Sequence, residues 1–327
     1  MTATKQQLAL LAKIQKKVLK EIKCQCPGCT EFAINSHLLQ RHGILNNISC
    51  SHKFREVKYR YPLYWLADDN YWEFKSIGIN EALSYPIFCA KHDTELFRSI
   101  EVKNFNLDNY RNQLLYSYRA LCGELVKIEI VFTQWLEFKK NNEELNISFN
   151  DEVSELLRKL LCTGNSLRRL KDELTEEINH NSGLFYFKHY TYPKLDIYAS
   201  AIYGEDEYHD LPAGIMIRES ILFIHIIPRE NTLEIIVGYP QNHVNSHIRK
   251  YTELWGNLDA NSLGYMLTDL FATKIENFGM SEELYNKIPE ETKMRFIEFK
   301  NQHSNDDAPI DFNLFPDFVI AYPKTLH

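Results

Sequence analysis

Three cysteines fall within six residues, Cys24-Gln-Cys26-Pro-Gly-Cys29, and Cys89-Ala-Lys-His92 later sets another thiol three positions before an imidazole. No other feature restricts the fold as strongly. A thiolate pair on a tight turn holds one side of a divalent ion, and a second pair near the start of a helix completes a tetrahedron. Pro27 and Gly28 suit the turn. Phe88 before Cys89, and Glu95-Leu96-Phe97 after it, suit a strand or loop entering a helix. This is treble-clef logic, and it predicts a structural Zn²⁺. Three cysteines compete for two places in the first pair, and spacing alone favours Cys26 and Cys29, the two-residue knuckle. The chain has seven cysteines. An odd number, clustered in this way, points to metal rather than to a disulfide framework. Cys50, Cys122 and Cys162 read as free thiols, the last two as core residues of helices.

Charge is distributed unevenly. The chain carries a net charge of -7, made of +8 in residues 1–60 and -15 in the remainder. A basic end on an acidic body suits an anionic partner such as nucleic acid. Lys5, Lys13, Lys16, Lys17, Lys20, Lys23, Arg41, Lys53, Arg55, Lys58 and Arg60 would form the phosphate-binding surface. The alternative is a solvated lysine face, or one that meets an acidic protein. Residues 4–22 place Leu8, Leu11, Ile14, Val18 and Ile22 at helical spacing between lysines, so the N-terminus reads as a basic amphipathic helix and not a signal peptide. No apolar run is long enough to span a membrane. A cytoplasmic location is expected.

The 327 residues suggest about two domains. With 44% hydrophobic and 13% aromatic residues, the chain can bury a large core. The fold class expected is α+β, in three parts. Residues 1–101 hold the basic helix and the zinc module, whose aromatic middle, residues 51–79, could contain short strands. Residues 102–182 hold two long helical patterns, 107–140 and 151–180, joined by a short polar linker as an antiparallel hairpin, with Asn150 as N-cap of the second. Residues 183–327 form an α/β domain with an antiparallel sheet. There LDIYASAIY alternates, and Ser220–Ile227 and Thr232–Tyr239 make a hairpin with its turn at Pro228–Asn231. The run ILFIHII is apolar on both faces and predicts a central strand. Helices are expected at 262–278, 281–287 and 290–302.

The strings AINSHLLQRHGILNNIS, IGINEA, FCAKHDTELFRSIE and ENFGMSEELYNKIPEE resemble a group of largely uncharacterised bacterial zinc-binding proteins. In that group the first pair is Cys-x4-Cys, which maps onto Cys24 and Cys29 and leaves Cys26 as an extra thiol. The ligand set implied by the resemblance is Cys24, Cys29, Cys89 and His92. A looser resemblance is to HNH endonucleases, which set a metal site inside a zinc-stapled treble clef. It implies His37 as the base that activates water, Asn80 as the residue that positions it, and Asp93 where a metal-binding His is expected. Three departures stand out: His92 replaces a zinc Cys, Asp93 replaces the terminal His, and the interval from His37 to Cys89 is long. A carboxylate would suit Mg²⁺ or Mn²⁺ better than an imidazole does. Without catalysis, His37 would cap a helix over LLQRHGIL, or Ser36 would.

Other candidates are weaker. His243 and His247 would share a face if they lay on one helix. His225, in an apolar strand, reads as a hydrogen-bonded core residue. GEDEYHD reads as a solvated loop. No Walker loop, GxGxxG or GxSxG occurs. The function implied is a zinc-stapled, HNH-like nucleic-acid-binding protein, a candidate metal-dependent endonuclease in anti-phage defence. The alternative is a non-catalytic zinc-containing sensor or adaptor that binds a protein through the helical hairpin or the C-terminal domain.

Overall fold

A computed structural model describes residues 4–49, 51–59, 72–102, 105–145, 151–205, 220–303 and 308–315. The elements follow in chain order as α1 (Lys5–Glu21), β1 (Ile34–His37), β2 (Lys53–Tyr59), β3 (Trp72–Gly78), β4 (Ser84–Phe88), α2 (Ala90–Leu96), α3 (Tyr110–Lys140), α4 (Asn142–Leu145), α5 (Asp151–His180), β5 (Phe185–Pro193), β6 (Ile197–Glu205), β7 (Ser220–Pro228), β8 (Thr232–Pro240), α6 (Ser246–Leu254), α7 (Ala260–Asp269), β9 (Gly279–Ser281), α8 (Glu282–Lys287) and α9 (Glu290–His303). The protein thus mixes helices with antiparallel sheets. Cys50, Arg60, Asn150 and most of GEDEYHD lie outside the described residues.

The β7 strand organises the interior. It is buried from end to end and lies between β6 and β8, as its doubly apolar sequence predicts. Successive side chains of a strand point to opposite faces. Ile221, Phe223 and Ile227 accordingly join the core under α1, α3 and α5, while Leu222, Ile224 and Ile226 join the core under α6, α7 and α9. His225 falls on the α3 side, with Nδ1 2.9 Å from Ser200 Oγ and Nε2 3.3 Å from Ser117 Oγ. Burial pushes its pKa down to about 3, so it is a neutral core imidazole.

Helix caps explain several boundaries. The Thr4 hydroxyl and the Gln7 side chain accept from each other's backbone amides, a capping box that opens α1. Leu11, Ile14 and Val18 face the core, whereas Leu8, expected on the same stripe, is 37% exposed in the first turn. Asn109 caps α3 and Asn245 caps α6. α3 and α5 run in opposite directions: Tyr110 bonds Glu177 at one end, and Gly164 lies against Ile128 further along.

The larger sheet has the order β3-β2-β9-β6-β7-β8-β5. β2 and β3 therefore extend the sheet formed by the C-terminal strands, while β1 pairs only with β4. The joint is β9, which pairs with β2 at Phe54↔Ser281 and with β6 at Ile197↔Met280. At this joint Tyr198 donates to the Glu56 carboxylate at 3.0 Å, and the Leu83 amide donates to the same oxygen at 2.7 Å. Lys58 pairs with the other oxygen. The Leu83 backbone is left-handed, at φ 41°, a conformation costly for a branched side chain and held here by the bond to Glu56.

Three expectations need correction. LLQRHGIL is not a helix: His37 ends β1, and bends and a short 3₁₀ turn, Leu45–Asn47, follow. Here Gln40 turns inward and its amide donates to the Glu101 carbonyl. His243 and His247 do not share a helix, because His243 ends a 3₁₀ turn and His247 belongs to α6. The helix expected over 262–278 stops at Asp269, continues as a π-helical turn, Leu270–Lys274, and gives way to extended backbone. Lys300, fully buried on α9, donates to the Phe271 and Ile275 carbonyls at 2.8 and 2.9 Å, groups left over where the helix ends.

Two predictions follow from this packing. A Cβ on Gly279 would lie 2.2 Å from the Tyr198 ring, which the bond to Glu56 holds in place. Gly279→Ala should cost roughly 1–3 kcal/mol, the scale of overpacking a core, read as a lower denaturation midpoint with an unchanged slope. The second concerns His189 on β5, whose Nδ1 lies 2.8 Å from Asp108 and whose Nε2 lies 2.8 Å from Glu234. Burial opposes its charge, but the bonds to Glu234 and Asp108 outweigh burial and raise its pKa. A raised histidine pKa stabilises the fold fully below about pH 6.5, and that stability is lost as pH rises through the folded-state value. The gap in melting temperature between wild type and His189→Gln should therefore be widest below about pH 6.5 and narrow as pH rises above it.

Candidate metal centre

The chain approaches the centre from two directions. Cys24 follows the end of α1 on an extended segment whose amide donates to Glu31 O at 2.9 Å, and the Gln25 amide donates to Ile87 O at 2.9 Å. The second bond sets the first cysteine pair beside β4. Cys26 to Cys29 form a turn, with the Cys29 amide donating to Cys26 O at 3.1 Å and Gly28 at φ +74°. That positive φ is the reason for glycine here. Cys89 follows β4 at the N-cap position of α2, and His92 lies in the first turn of that helix.

Cys24, Cys29, Cys89 and His92 converge, with one donor atom from each within 4.8 Å of all the others. His92 Nδ1 lies 3.4 Å from Cys24 Sγ and 3.3 Å from Cys89 Sγ, and Cys29 Sγ lies 4.0 Å from Cys89 Sγ. A tetrahedral Zn²⁺ with sulfur at about 2.3 Å and nitrogen at about 2.0–2.1 Å needs donor separations of roughly 3.5–3.8 Å. The residues present therefore fit a zinc ion, with Nδ1 as the imidazole donor. Cys26 is outside the set, so the Cys24–Cys29 pairing implied by the resemblance holds over the Cys26–Cys29 pairing favoured by spacing.

The electrostatics suit a cation. Burial pushes the Cys24 thiol up to about 12, although the Cys89 and Cys26 amides at its sulfur oppose this. At Cys89 the His92 amide, the Cys24 and Cys29 thiols and the Lys91 amide together win over burial and lower the thiol pKa. Three sulfurs packed this closely cannot ionise together without a positive charge among them. Cys122, on α3 behind the centre, is fully buried, and its thiol is also pushed up to about 12, as suits a core residue. Cys162 on α5 is half-buried.

The HNH-type candidates lie on β1, on the turn between β3 and β4, and on α2. His37 ends β1, with Nε2 3.0 Å from the Ile79 carbonyl. A carbonyl only accepts, so Nε2 carries the proton and Nδ1 is the basic nitrogen. Burial lowers the His37 pKa, and Arg41 and Arg119 lower it further. Asp93 follows His92 in α2, and burial raises its pKa against the pull of Arg119 and Ser36. His37 and Asp93 are close enough that each feels the other's charge. Asn80, next to Ile79, accepts from Arg41 Nη1 at 2.7 Å and so sits beside His37 only through the backbone.

Sequence reasoning missed Arg119. This α3 residue is 2% exposed, pairs with Glu101 at 2.6 Å, reaches Asp93 at 3.8 Å and stacks on the Phe97 ring at 3.9 Å. The one signal for it was an arginine among the apolar positions of a long helix. The basic surface also needs revision. Arg55 pairs with Glu282 at 3.4 Å, Lys58 pairs with buried Glu56, and Lys17 pairs with Glu137 at 2.9 Å. Lys5, Lys13, Lys16, Lys20, Lys23 and Lys53 are exposed.

No protein-family model, curated protein or solved structure matches the chain. Among the described residues, no helix is long and apolar enough to cross a membrane.

The metal assignment predicts about one Zn²⁺ per purified chain, the number one four-ligand set can hold. Cys24→Ser, Cys29→Ser and Cys89→Ser should each lose it, with a lower melting temperature, because metal binding is coupled to folding. Cys26→Ser should keep it. Metal analysis by plasma mass spectrometry checks all four, and full zinc in the Cys29 and Cys89 variants would refute the assignment.

Proposed function

We propose that residues 1–101 are a zinc-stapled treble-clef module with an HNH-like layout and that the module binds nucleic acid. The observation that carries this reading is the grouping at the metal centre. β1 and β4 pair, β4 runs into α2 at Cys89, and α2 carries the donor His92 and then Asp93, whose charge reaches His37 at the end of β1. That is the order of parts the HNH resemblance implies. Exposed lysines on α1, with Lys53 and Arg41, supply cations for a phosphate backbone, and the acidic remainder of the chain would confine nucleic acid to this end.

Zinc, when bound, supplies cross-linking charge to three thiolates and an imidazole. The remaining chemistry belongs to the chain. Ile79 holds His37 in one tautomer and leaves Nδ1 to take a proton, and its lowered pKa keeps the ring neutral near pH 7. Hydrolysis by a divalent ion on Asp93 would require Arg119 to give up that carboxylate. The second reading, a non-catalytic sensor or adaptor, draws its support from this ion pair, which already neutralises Asp93. Defence against phage rests on the resemblance alone.

Salt-dependent binding is the test. Log affinity for a duplex should fall by about 0.9 per phosphate contact with each log unit of salt. Reversal of Lys13, Lys16 and Lys20 to Glu should weaken binding about equally on all sequences, since phosphate contacts carry no base code, and should leave zinc in place. Nicking of a plasmid with Mg²⁺ or Mn²⁺ that disappears in His37→Ala would assign hydrolysis. Zinc-loaded protein that binds neither DNA nor RNA at low salt would sink the nucleic-acid reading and favour the adaptor.

A further inference from the structure

We infer that Cys26 is the redox partner of the zinc ligand Cys29, so that peroxide converts the centre from a zinc staple into a Cys26–Cys29 disulfide and releases the metal. The inference rests on the zinc reading and goes beyond it. Its basis is the turn. The bond from the Cys29 amide to Cys26 O closes four residues, with proline second and glycine third, at φ +74°. Such a turn holds its first and fourth Cα atoms within about 7 Å, and a disulfide spans Cα atoms about 4.4–6.8 Å apart. The backbone is thus already folded for a bridge between these two residues.

The second observation is the position of the Cys26 sulfur. It is outside the four-donor set yet near enough to Cys29 and Cys89 for their charges to act on it. Cys26 is half-buried, whereas Cys122, the other thiol in this neighbourhood, is sealed in the core. A spare, half-buried thiol therefore stands beside a ligand thiolate, in a Cys-x-x-Cys arrangement that favours exchange.

The chemistry balances with peroxide as oxidant. The Cys29 thiolate attacks one peroxide oxygen, the O–O bond breaks, hydroxide leaves, and Cys29 becomes a sulfenic acid. The Cys26 sulfur then attacks the Cys29 sulfur, the S–O bond breaks, and water leaves with the thiol proton. Two electrons pass from the two sulfurs to peroxide, and hydroxide takes up a proton from solvent. Zinc retains Cys24, Cys89 and His92 alone, and a site short of one ligand releases its ion to a competing chelator.

The experiment uses the full-length zinc-loaded chain and its Cys26→Ser variant, both measured for zinc beforehand. Each is exposed to hydrogen peroxide with a chromogenic zinc chelator, then digested without reduction for mass spectrometry. The wild type should release zinc, yield a peptide with Cys26 joined to Cys29, and rebind zinc after dithiothreitol. Cys26→Ser should start fully loaded, release zinc several times more slowly, and accumulate sulfinic acid at Cys29. Equal release rates, or a disulfide that joins Cys24 rather than Cys26 to Cys29, would overturn the proposal and leave the zinc reading standing. A Cys26→Ser chain that starts without zinc would make Cys26 a ligand and also overturn it. A wild type that carries no zinc would sink both.

Discussion

Glu56 is the constraint on which the two halves of the protein depend. It lies on β2, fully out of solvent, and its partners come from three parts of the chain: Tyr198 on β6, the Leu83 amide just before β4, and Lys58 on its own strand. A carboxylate taken out of water costs several kcal/mol unless it is paired and hydrogen-bonded, and loss of one partner strands the charge at a cost of about 3–5 kcal/mol. The three partners therefore hold their positions together. Through Leu83 the sheet fixes the start of β4, and β4 delivers Cys89 to the metal centre.

This link changes what the metal has to do. Residues 29 and 89 are distant in sequence, and in a small zinc finger the metal itself supplies most of the energy that closes such a loop. Here β1–β4 pairing, the Gln25 amide on Ile87, and Glu56 already bring the segments together. Zinc acts on an approach that the backbone has prepared, so its loss should loosen the N-terminal third more than the central sheet. The same preparation gives the centre its selectivity among cysteines. Cys24 receives amides from Cys26 and Cys89 at its sulfur, and that sulfur, unlike the one of Cys26, falls within the four-donor set.

Much of the fold was legible from period and composition. The doubly apolar ILFIHII reads as a central strand because both faces of β7 are covered, and the turn at Pro228–Asn231 and the limits of α5 appear as the sequence predicts. What was not legible depends on contacts distant in sequence. β2 and β3 sit beside the C-terminal strands only because Gly279–Ser281, three residues with no strand signature, wedge between β2 and β6. The four metal ligands were legible as residue types, but the choice of Cys24 over Cys26 was not a matter of spacing. LLQRHGIL carries a helical pattern, and tertiary packing overrides it by turning Gln40 inward to the Glu101 carbonyl.

Arg119 is where the chemistry of the centre is decided. A buried guanidinium needs compensation, and it has two carboxylates within reach, Glu101 close and Asp93 further away. The closer pair satisfies most of that need. Asp93 is thus the weaker partner, a carboxyl raised by burial and held at 3.8 Å, beyond a normal hydrogen bond. Arg119 itself is buried and engaged by both carboxylates, so it offers no open charge to an arriving ion. A divalent ion on Asp93 would have to displace Arg119 from that carboxylate, and the cations open to a phosphate lie elsewhere, on α1 and at Lys53.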